Sequence, residues 1–242
     1  MEVINDILGY ENLKIYQNDD FFAFSLDSIV LANYATIRLR DKKIVDFCSG
    51  NGVVSLILSR RTNNKIVGVE IQKALCSLAN KSIKINNLED KIEMVNEDIK
   101  EFSKKNMCEF DLVVCNPPYF KLEEKSSTNI SREKAIARHE VMINLRDVCC
   151  SASKVLKDNG TFSMVHRSDR LIEIIMEFRQ NNIEPKKIKF IYEKLSKEST
   201  LVLIEGQKNG KVGLKIAKPL VLYNEDGSYT LEYEKLQKEV RL

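Results

Sequence analysis

The chain has 242 residues, 43% of them hydrophobic, which is enough for one sizeable core and too few for several large domains. Its net charge of +3 decides neither for nor against a polyanionic partner, its six cysteines contain no Cys-x-x-Cys pair, and its two histidines, His139 and His166, lack metal-ligand spacing. No apolar run approaches membrane-spanning length and the first residues lack the basic and apolar regions of a signal peptide, so a cytoplasmic protein with reduced thiols and neither membrane nor metal partner is expected.

Short strands or a hairpin are predicted at 13–16 and 21–24. Asp27 then stands where a helix through Ile29, Val30, Leu31 and Tyr34 begins, and residues 43–47 form a buried strand. A glycine-bearing turn at 48–52 leads into a helix carrying Val53, Val54, Leu56, Ile57 and Leu58. Residues 65–70 are a second strand, after which Ile71, Leu75, Leu78, Ala79 and Ile83 recur at helical spacing. A third strand at 91–96, a short helix near 99–105 and a fourth strand at 110–115 follow. Residues 120–140 are polar and charged, with no period, and read as a loop. A helix carrying Leu145, Val148, Cys149, Ala152, Val155 and Leu156 is expected to end at Asn159-Gly160, before a fifth strand at 161–165. Leu171, Ile172, Ile175 and Phe178 mark another helix, and 188–192 and 200–205 are strand-like. Residues 220–223 and 228–231 read as a final hairpin across Asn224-Glu225-Asp226-Gly227.

Strands alternating with helices make a doubly wound α/β sheet. The organisation expected is an N-terminal cap at 1–40, a catalytic core at 41–207 and a C-terminal hairpin and tail at 208–242. Ligands of such sheets bind beyond the C-terminal ends of the strands. Gly50, Glu70, Asp98 and Asn116 each fall just past one of the first four strands of this core, so residues far apart in sequence land on one rim.

The sequence Asn116-Pro117-Pro118-Tyr119 after an apolar strand suits the holding of a planar amino group against a methyl donor. The Asn116 side-chain oxygen and the Pro117 carbonyl can accept both hydrogens of an NH2. Proline fixes φ and removes a donor, so the loop is stiff. The Tyr119 ring offers a face on which a base can stack. An ordinary Pro-Pro turn is the plain alternative. Asp46-x-x-x-Gly50-x-Gly52, between strand and helix, fits a cofactor loop whose glycines let the backbone approach a ligand. Ser55 stands where a dinucleotide fingerprint wants a third glycine, so that motif is incomplete. S-adenosylmethionine explains the set better, having no pyrophosphate. Glu70 can accept from both ribose hydroxyls, and Asp98 can accept from an adenine amino group or simply cap the helix that follows. Ile71 and Ile99 can sandwich that adenine. Residues 183–218 carry nine Lys against four Glu, a local balance of +5 that suits either a phosphate-contacting face or a solvated surface.

In these residues the chain resembles the class I S-adenosylmethionine-dependent methyltransferases that act on exocyclic or amide nitrogens. Within that class it is similar to the tRNA (adenine-N6)-methyltransferases acting on valine tRNA at position 37. The similar segments include Phe24-Ser25-Leu26-Asp27-Ser28, the glycine loop, Asn116 to Phe120, Ala137-Arg138-His139-Glu140, and His166-Arg167-Ser168-Asp169-Arg170-Leu171. They continue to Pro219 and the turn at Gly227. Cys48 departs mildly from the small or aliphatic residues usual there. The resemblance implies a Rossmann-like methyltransferase sheet, S-adenosylmethionine bound by Asp46, Gly50, Gly52, Glu70, Ile71, Asp98, Ile99 and Asn116, and catalysis by Asn116, Pro117 and Tyr119. It implies a tRNA partner engaged at the anticodon stem-loop, with Tyr119, Phe120, Arg138, His139 and Arg167 on the substrate side. Phe120 equally suits core packing, and the three cations equally suit pairing with Glu140 or Asp169. Competing expectations are a protein glutamine-N5 methyltransferase, a ribosomal RNA or DNA amino-methyltransferase, and a non-catalytic RNA-binding protein. The first resembles proteins with a helical domain before the glycine loop, for which the roughly forty residues here are too few.

Overall fold

The computed structural model describes residues 2–7, 10, 12–18, 26–118 and 143–238. The first two strands, β1 (Glu2–Asp6) and β2 (Lys14–Asn18), form an antiparallel pair. The partner expected at 21–24 lies outside the described residues. Helix α1 (Leu26–Tyr34) follows, with Asp27 in its first turn, where a carboxylate complements the positive end of the helix dipole.

The core then alternates as expected: β3 (Lys43–Phe47), α2 (Val53–Ser59), β4 (Lys65–Val69), α3 (Lys73–Ile85), β5 (Ile92–Val95), α4 (Ile99–Lys105) and β6 (Phe110–Cys115). After it come α5 (Leu145–Val155), β7 (Leu156–Arg167), α6 (Leu171–Gln180), β8 (Ile183–Tyr192), β9 (Leu201–Lys208), β10 (Lys215–Ile216), β11 (Leu220–Val221) and α7 (Leu231–Lys238). β3 and β6 are buried nearly end to end, because helices cover both faces of a parallel sheet and no polar alternation is needed.

Nine strands make one sheet in the order β10-β8-β9-β7-β6-β3-β4-β5, with β11 pairing β8. β3 to β7 run parallel, and β9 enters antiparallel between β7 and β8. The chain steps outward from β3 to β5, then returns to the other side of β3 as β6, so the switch point lies between β3 and β6. One core packs α1, α2 and the N-terminal pair against the sheet through residues such as Leu31, Leu56 and Ile15. The opposite core packs α4, α5 and α6 through Phe102, Val148 and Phe178.

Two local expectations are corrected. Asn159-Gly160 does not end a helix: α5 stops at Val155, and the pair turns a bulge inside β7. Phe110 pairs with Leu156 but Leu112 pairs with Thr161, so 157–160 loop out between them. Asn159 supplies φ +63°, and a side chain at Gly160 would meet Leu156 Cδ2 at 2.8 Å. The terminal hairpin shrinks to a single bridge, Tyr223 to Tyr229, and α7 begins at Leu231, the last residue of the hairpin's expected second arm. Tyr233 and Leu236, three apart, pack onto the α1 face of the sheet, and that burial favours the helical period.

Candidate active site at the switch point

Phe47 is in register with Val69 and with Cys115, and Val69 is in register with Val95. Four strands therefore end in one row, at the roughly 4.8 Å spacing of a sheet. The residues that leave this row are Cys48, Glu70, Asn96 and Asn116. The rim inferred from sequence is a consequence of that register.

The loop after β3 needs left-handed backbone at three places: Cys48 at φ +55°, Gly50 at +57° and Gly52 at +84°. Gly52 is the residue before α2, and a Cβ there would stand 3.1 Å from the Ala79 Cβ of α3. A Cβ on Gly50 meets nothing within 4 Å, so the loop presents open space at its tip. Asp46, read from sequence as a cofactor contact, lies beneath the loop at 1% exposure. Its carboxylate accepts from the Ser55 backbone N–H at 3.1 Å and the Ser55 hydroxyl at 2.7 Å, tying β3 to α2. Burial pushes its pKa up to about 7, against the lowering effect of the Ser55 bonds, and the nearby Glu70 charge adds to the rise. Ser55, which breaks the dinucleotide fingerprint, thus has a definite task in shaping this loop.

Glu70 is 4% exposed, and its two carboxylate oxygens accept from the backbone N–H of Gly50 and of Gln72, each at 2.8 Å. Asn96, unremarked in the sequence, donates to the carbonyls of Glu70 and Ile71 at 2.8 and 3.0 Å and fixes the turn out of β4. Asp98 caps α4, accepting from the Lys100 N–H at 2.8 Å. Ile71 is 37% exposed on the rim, whereas Ile99 is 3% exposed and already packed in the α4 core.

Asn116 is half-buried at the end of β6, followed by a buried Pro117 and an exposed Pro118. Its side-chain Nδ2 donates at 2.8 Å to the hydroxyl of Ser28 in the first turn of α1. Sequence reasoning gave Ser28 no role of its own, because its partner lies 88 positions away. Tyr119, Phe120, Arg138, His139 and the 120–140 stretch lie outside the described residues.

Arg167 ends β7, two strand widths from β3, and forms a two-pronged ion pair with Asp169 at 2.7 and 3.2 Å, both side chains being more than half exposed. His166 before it is buried, accepts from the Arg167 N–H through Nδ1 at 2.8 Å, and has its pKa lowered to about 4 by burial and then by Arg170. It is therefore a neutral structural group at pH 7. The basic 183–218 segment is not one uniform patch. Lys189 pairs with Glu232 at 2.7 Å, Lys197 with Glu193 at 2.9 Å, and the Lys187 ammonium lies 4.0 Å over the Tyr34 ring. Among the described residues no group of His, Cys, Asp and Glu has the makings of a metal site, and no helix is long and apolar enough to cross a membrane.

Known proteins are similar to this chain in sequence and in fold. The chain is 28% identical over 240 residues to a tRNA1(Val) (adenine(37)-N6)-methyltransferase of Haemophilus influenzae, covering 96% of this chain and 97% of that one. It is 25% identical over 200 residues to a protein of the same name from Phocaeicola vulgatus, covering 83% of each. Among solved structures, one described as a predicted O-methyltransferase from Agrobacterium tumefaciens superposes with a TM-score of 0.70 at 17% identity, covering 89% of this chain and 98% of that one. Geranyl diphosphate C-methyltransferase from Streptomyces coelicolor, solved with S-adenosyl-L-homocysteine, gives a TM-score of 0.56 at 12% identity over 75% of this chain and 76% of its own. The model of the methyltransferase small domain matches residues 25–191, so the chain belongs to that family.

Proposed function

We propose that this protein transfers a methyl group from S-adenosylmethionine to the exocyclic N6 of an adenine in tRNA, with position 37 of valine tRNA as the target. The observation that carries the reading is the common strand-end row, which gathers the glycine loop, Glu70 and Asn116 at the switch point. The names of the relatives from Haemophilus influenzae and Phocaeicola vulgatus supply the choice of tRNA. The setting is the cytoplasm, and the contact region is the anticodon stem-loop.

The residues fit S-adenosylmethionine. Open space lies over Gly50, a carboxylate is fixed at the end of β4, and the Ile71 side chain is exposed beside it. The backbone of Gly50 and Gly52 would hold the methionine part, Glu70 would accept from the ribose hydroxyls, and Asp98 with Ile71 would address the adenine. Ile99 contributes from below, through the core, and Asp46 acts by holding the loop in shape. The cofactor supplies an electrophilic methyl on a sulfonium sulfur.

The chain's own task is to hold a poor nucleophile. The lone pair of an adenine amino group is delocalised into the ring. Asn116 Oδ1 and the Pro117 carbonyl accept the two amino hydrogens, which draws the nitrogen toward tetrahedral geometry and localises its lone pair. Holding nitrogen and methyl in line accounts for most of the remaining acceleration. As the nitrogen bonds the methyl carbon and the carbon–sulfur bond breaks, the amino group becomes cationic and readily sheds one hydrogen as a proton to water, so no strong general base is needed. Tyr119 stacks on the extruded base, worth roughly 1–3 kcal/mol. Phe120 extends that platform, and Arg138, His139 and Arg167 contact phosphates.

The test is transfer of labelled methyl from S-adenosylmethionine to total unmodified RNA, followed by nucleoside analysis. N6-methyladenosine in the tRNA fraction, mapped to position 37 of valine tRNA, is the expected result. Label on a protein glutamine, or in ribosomal RNA alone, overturns the reading.

A further inference from the structure

A side-chain amide at a strand end has a soft final torsion with two faces of opposite chemistry. Turned one way, Asn116 offers an acceptor to an amino group. Turned the other way, it offers two N–H donors to two N–H donors, and the pair repels. The proposed chemistry therefore depends on the amide being held with its plane turned to the amino group.

From the 2.8 Å bond between Asn116 Nδ2 and the Ser28 hydroxyl, we infer that Ser28 is the positioning residue that anchors this amide. The inference rests on the reading of Asn116 as acceptor of the amino hydrogens. Ser28 is 6% exposed, so water does not compete freely for the bond. A hydroxyl can accept from Nδ2 or donate to Oδ1, so the bond holds the plane of the amide in place and leaves the amino group that meets it to select the Oδ1 end. Losing the hydroxyl removes that anchor.

The position of Ser28 is itself secured from the far end of α1. Glu205 of β9, 4% exposed, accepts from the Thr36 N–H at 2.7 Å and the Thr36 hydroxyl at 2.9 Å, just past the helix. The Tyr34 hydroxyl donates to the Lys187 carbonyl of β8 at 3.1 Å. Arg61 donates to the Ala32 carbonyl. The helix is thus fastened to β8, β9 and the end of α2, and its first turn delivers Ser28 to the end of β6. The N-terminal cap acts on the acceptor side of the reaction through this one hydroxyl.

The experiment compares steady-state transfer to unmodified tRNA by the wild type, Ser28→Ala and Ser28→Thr, with cofactor affinity and thermal midpoint measured on each. Ser28→Ala is expected to lower kcat on the order of tenfold, the scale of one hydrogen bond acting in the transition state. KM for tRNA and affinity for S-adenosylmethionine stay near wild type. Ser28→Thr, which keeps the hydroxyl, restores kcat. Unchanged kcat in Ser28→Ala overturns the inference, and so does an equal loss of kcat in Ser28→Thr. A fall in thermal midpoint with kcat per folded enzyme intact also overturns it, reducing Ser28 to a structural role. A wild type that methylates no RNA refutes the proposed function instead, so the two failures are distinguishable.

Discussion

Replacing Gly52 with alanine tests the glycine loop more sharply than replacing Gly50, and the structure says why. Gly52 has φ +84°, and the added Cβ would stand 3.1 Å from the Ala79 Cβ and 3.7 Å from its Cα. Left-handed backbone costs an L residue about 1–2 kcal/mol. Overpacking a methyl against a helix that cannot withdraw adds about 1–3 kcal/mol. The lost freedom of glycine in the unfolded chain returns about 0.4–1 kcal/mol. The net loss for Gly52→Ala is about 2–4 kcal/mol. Gly50→Ala carries the left-handed cost at φ +57° but meets no neighbour within 4 Å, so it loses about 1 kcal/mol or less. Urea unfolding gives both differences, and each kcal/mol lowers Tm by about 2–4 °C in a domain of this size. Cofactor affinity should rank the folded variants the other way. The Gly50 methyl enters the open space at the loop tip and weakens S-adenosylmethionine by about tenfold, whereas the Gly52 methyl points into the α3 packing. Equal stability losses, or a larger loss at Gly50, would refute this account of the loop.

Two buried groups give the stability profile opposing slopes. His166, at about 4 when folded against an ordinary 6.5, stays neutral while the unfolded chain takes up a proton, so its contribution falls as pH drops from 6.5 to 4. Asp46, at about 7 when folded against 3.8, keeps its proton while the unfolded chain loses one, so its contribution falls as pH rises from 3.8 to 7. Relative to wild type, Asp46→Asn should therefore gain stability on going from pH 4 to 6.5, His166→Asn should lose it, and parallel curves in denaturant titrations would show the assignment to be mistaken. The exposed Arg167–Asp169 pair is worth about 0–1 kcal/mol, so Arg167→Ala should leave the urea midpoint unchanged. If that guanidinium meets a phosphate, the same variant raises KM for tRNA and lowers the salt slope of binding by about 1, and an unaltered slope removes Arg167 from the interface. Among the thiols, exposed Cys108 should alkylate readily in the native protein. Cys115 and Cys149, buried and with pKa values pushed up by that burial, should react only on unfolding; prompt labelling of Cys115 by mass spectrometry would contradict its placement in the β6 core.

The central strands were legible because a parallel strand covered on both faces runs mostly apolar, as Ile44-Val45 of β3 and Leu112 to Cys115 of β6 do. The same rule made two ends legible, since Glu70 after β4 and Asn116 after β6 are the first polar residues beyond such runs. What the sequence concealed are choices made by distant partners. Asn-Gly has the left-handed freedom that suits a helix end, and it served a bulge because Phe110 and Leu112 draw Leu156 and Thr161 into register. Residues 228–231 alternate like a strand arm, yet only Tyr229 bridges, and from Leu231 the chain turns helical to bury Tyr233 and Leu236. Val3 and Ile4 of β1 are exposed, so no apolar pattern announced that strand.

The harder lesson concerns residues that hold the site and also face it. A residue leaving a buried parallel strand must satisfy the backbone of the loops beside it before it can serve a ligand. Glu70 meets that demand by accepting from Gly50 and Gln72, and Asp98 meets it by capping α4. Acceptor oxygens aimed at a loop N–H from the rim are also those best placed for a ribose or an adenine amino group. A capping role therefore does not exclude a functional one for such residues in this fold. Removing the carboxylate of Glu70 releases the Gly50 N–H as well, so a Glu70→Ala variant that loses cofactor affinity reports on the loop and the ribose together. Glu70→Gln does not separate them either, because whichever oxygen becomes an NH2 then faces the N–H of Gly50 or of Gln72. The unfolding free energy of each variant without cofactor measures the share of the carboxylate that belongs to the fold, and any further loss of cofactor affinity by the folded variant measures the share that belongs to the ligand.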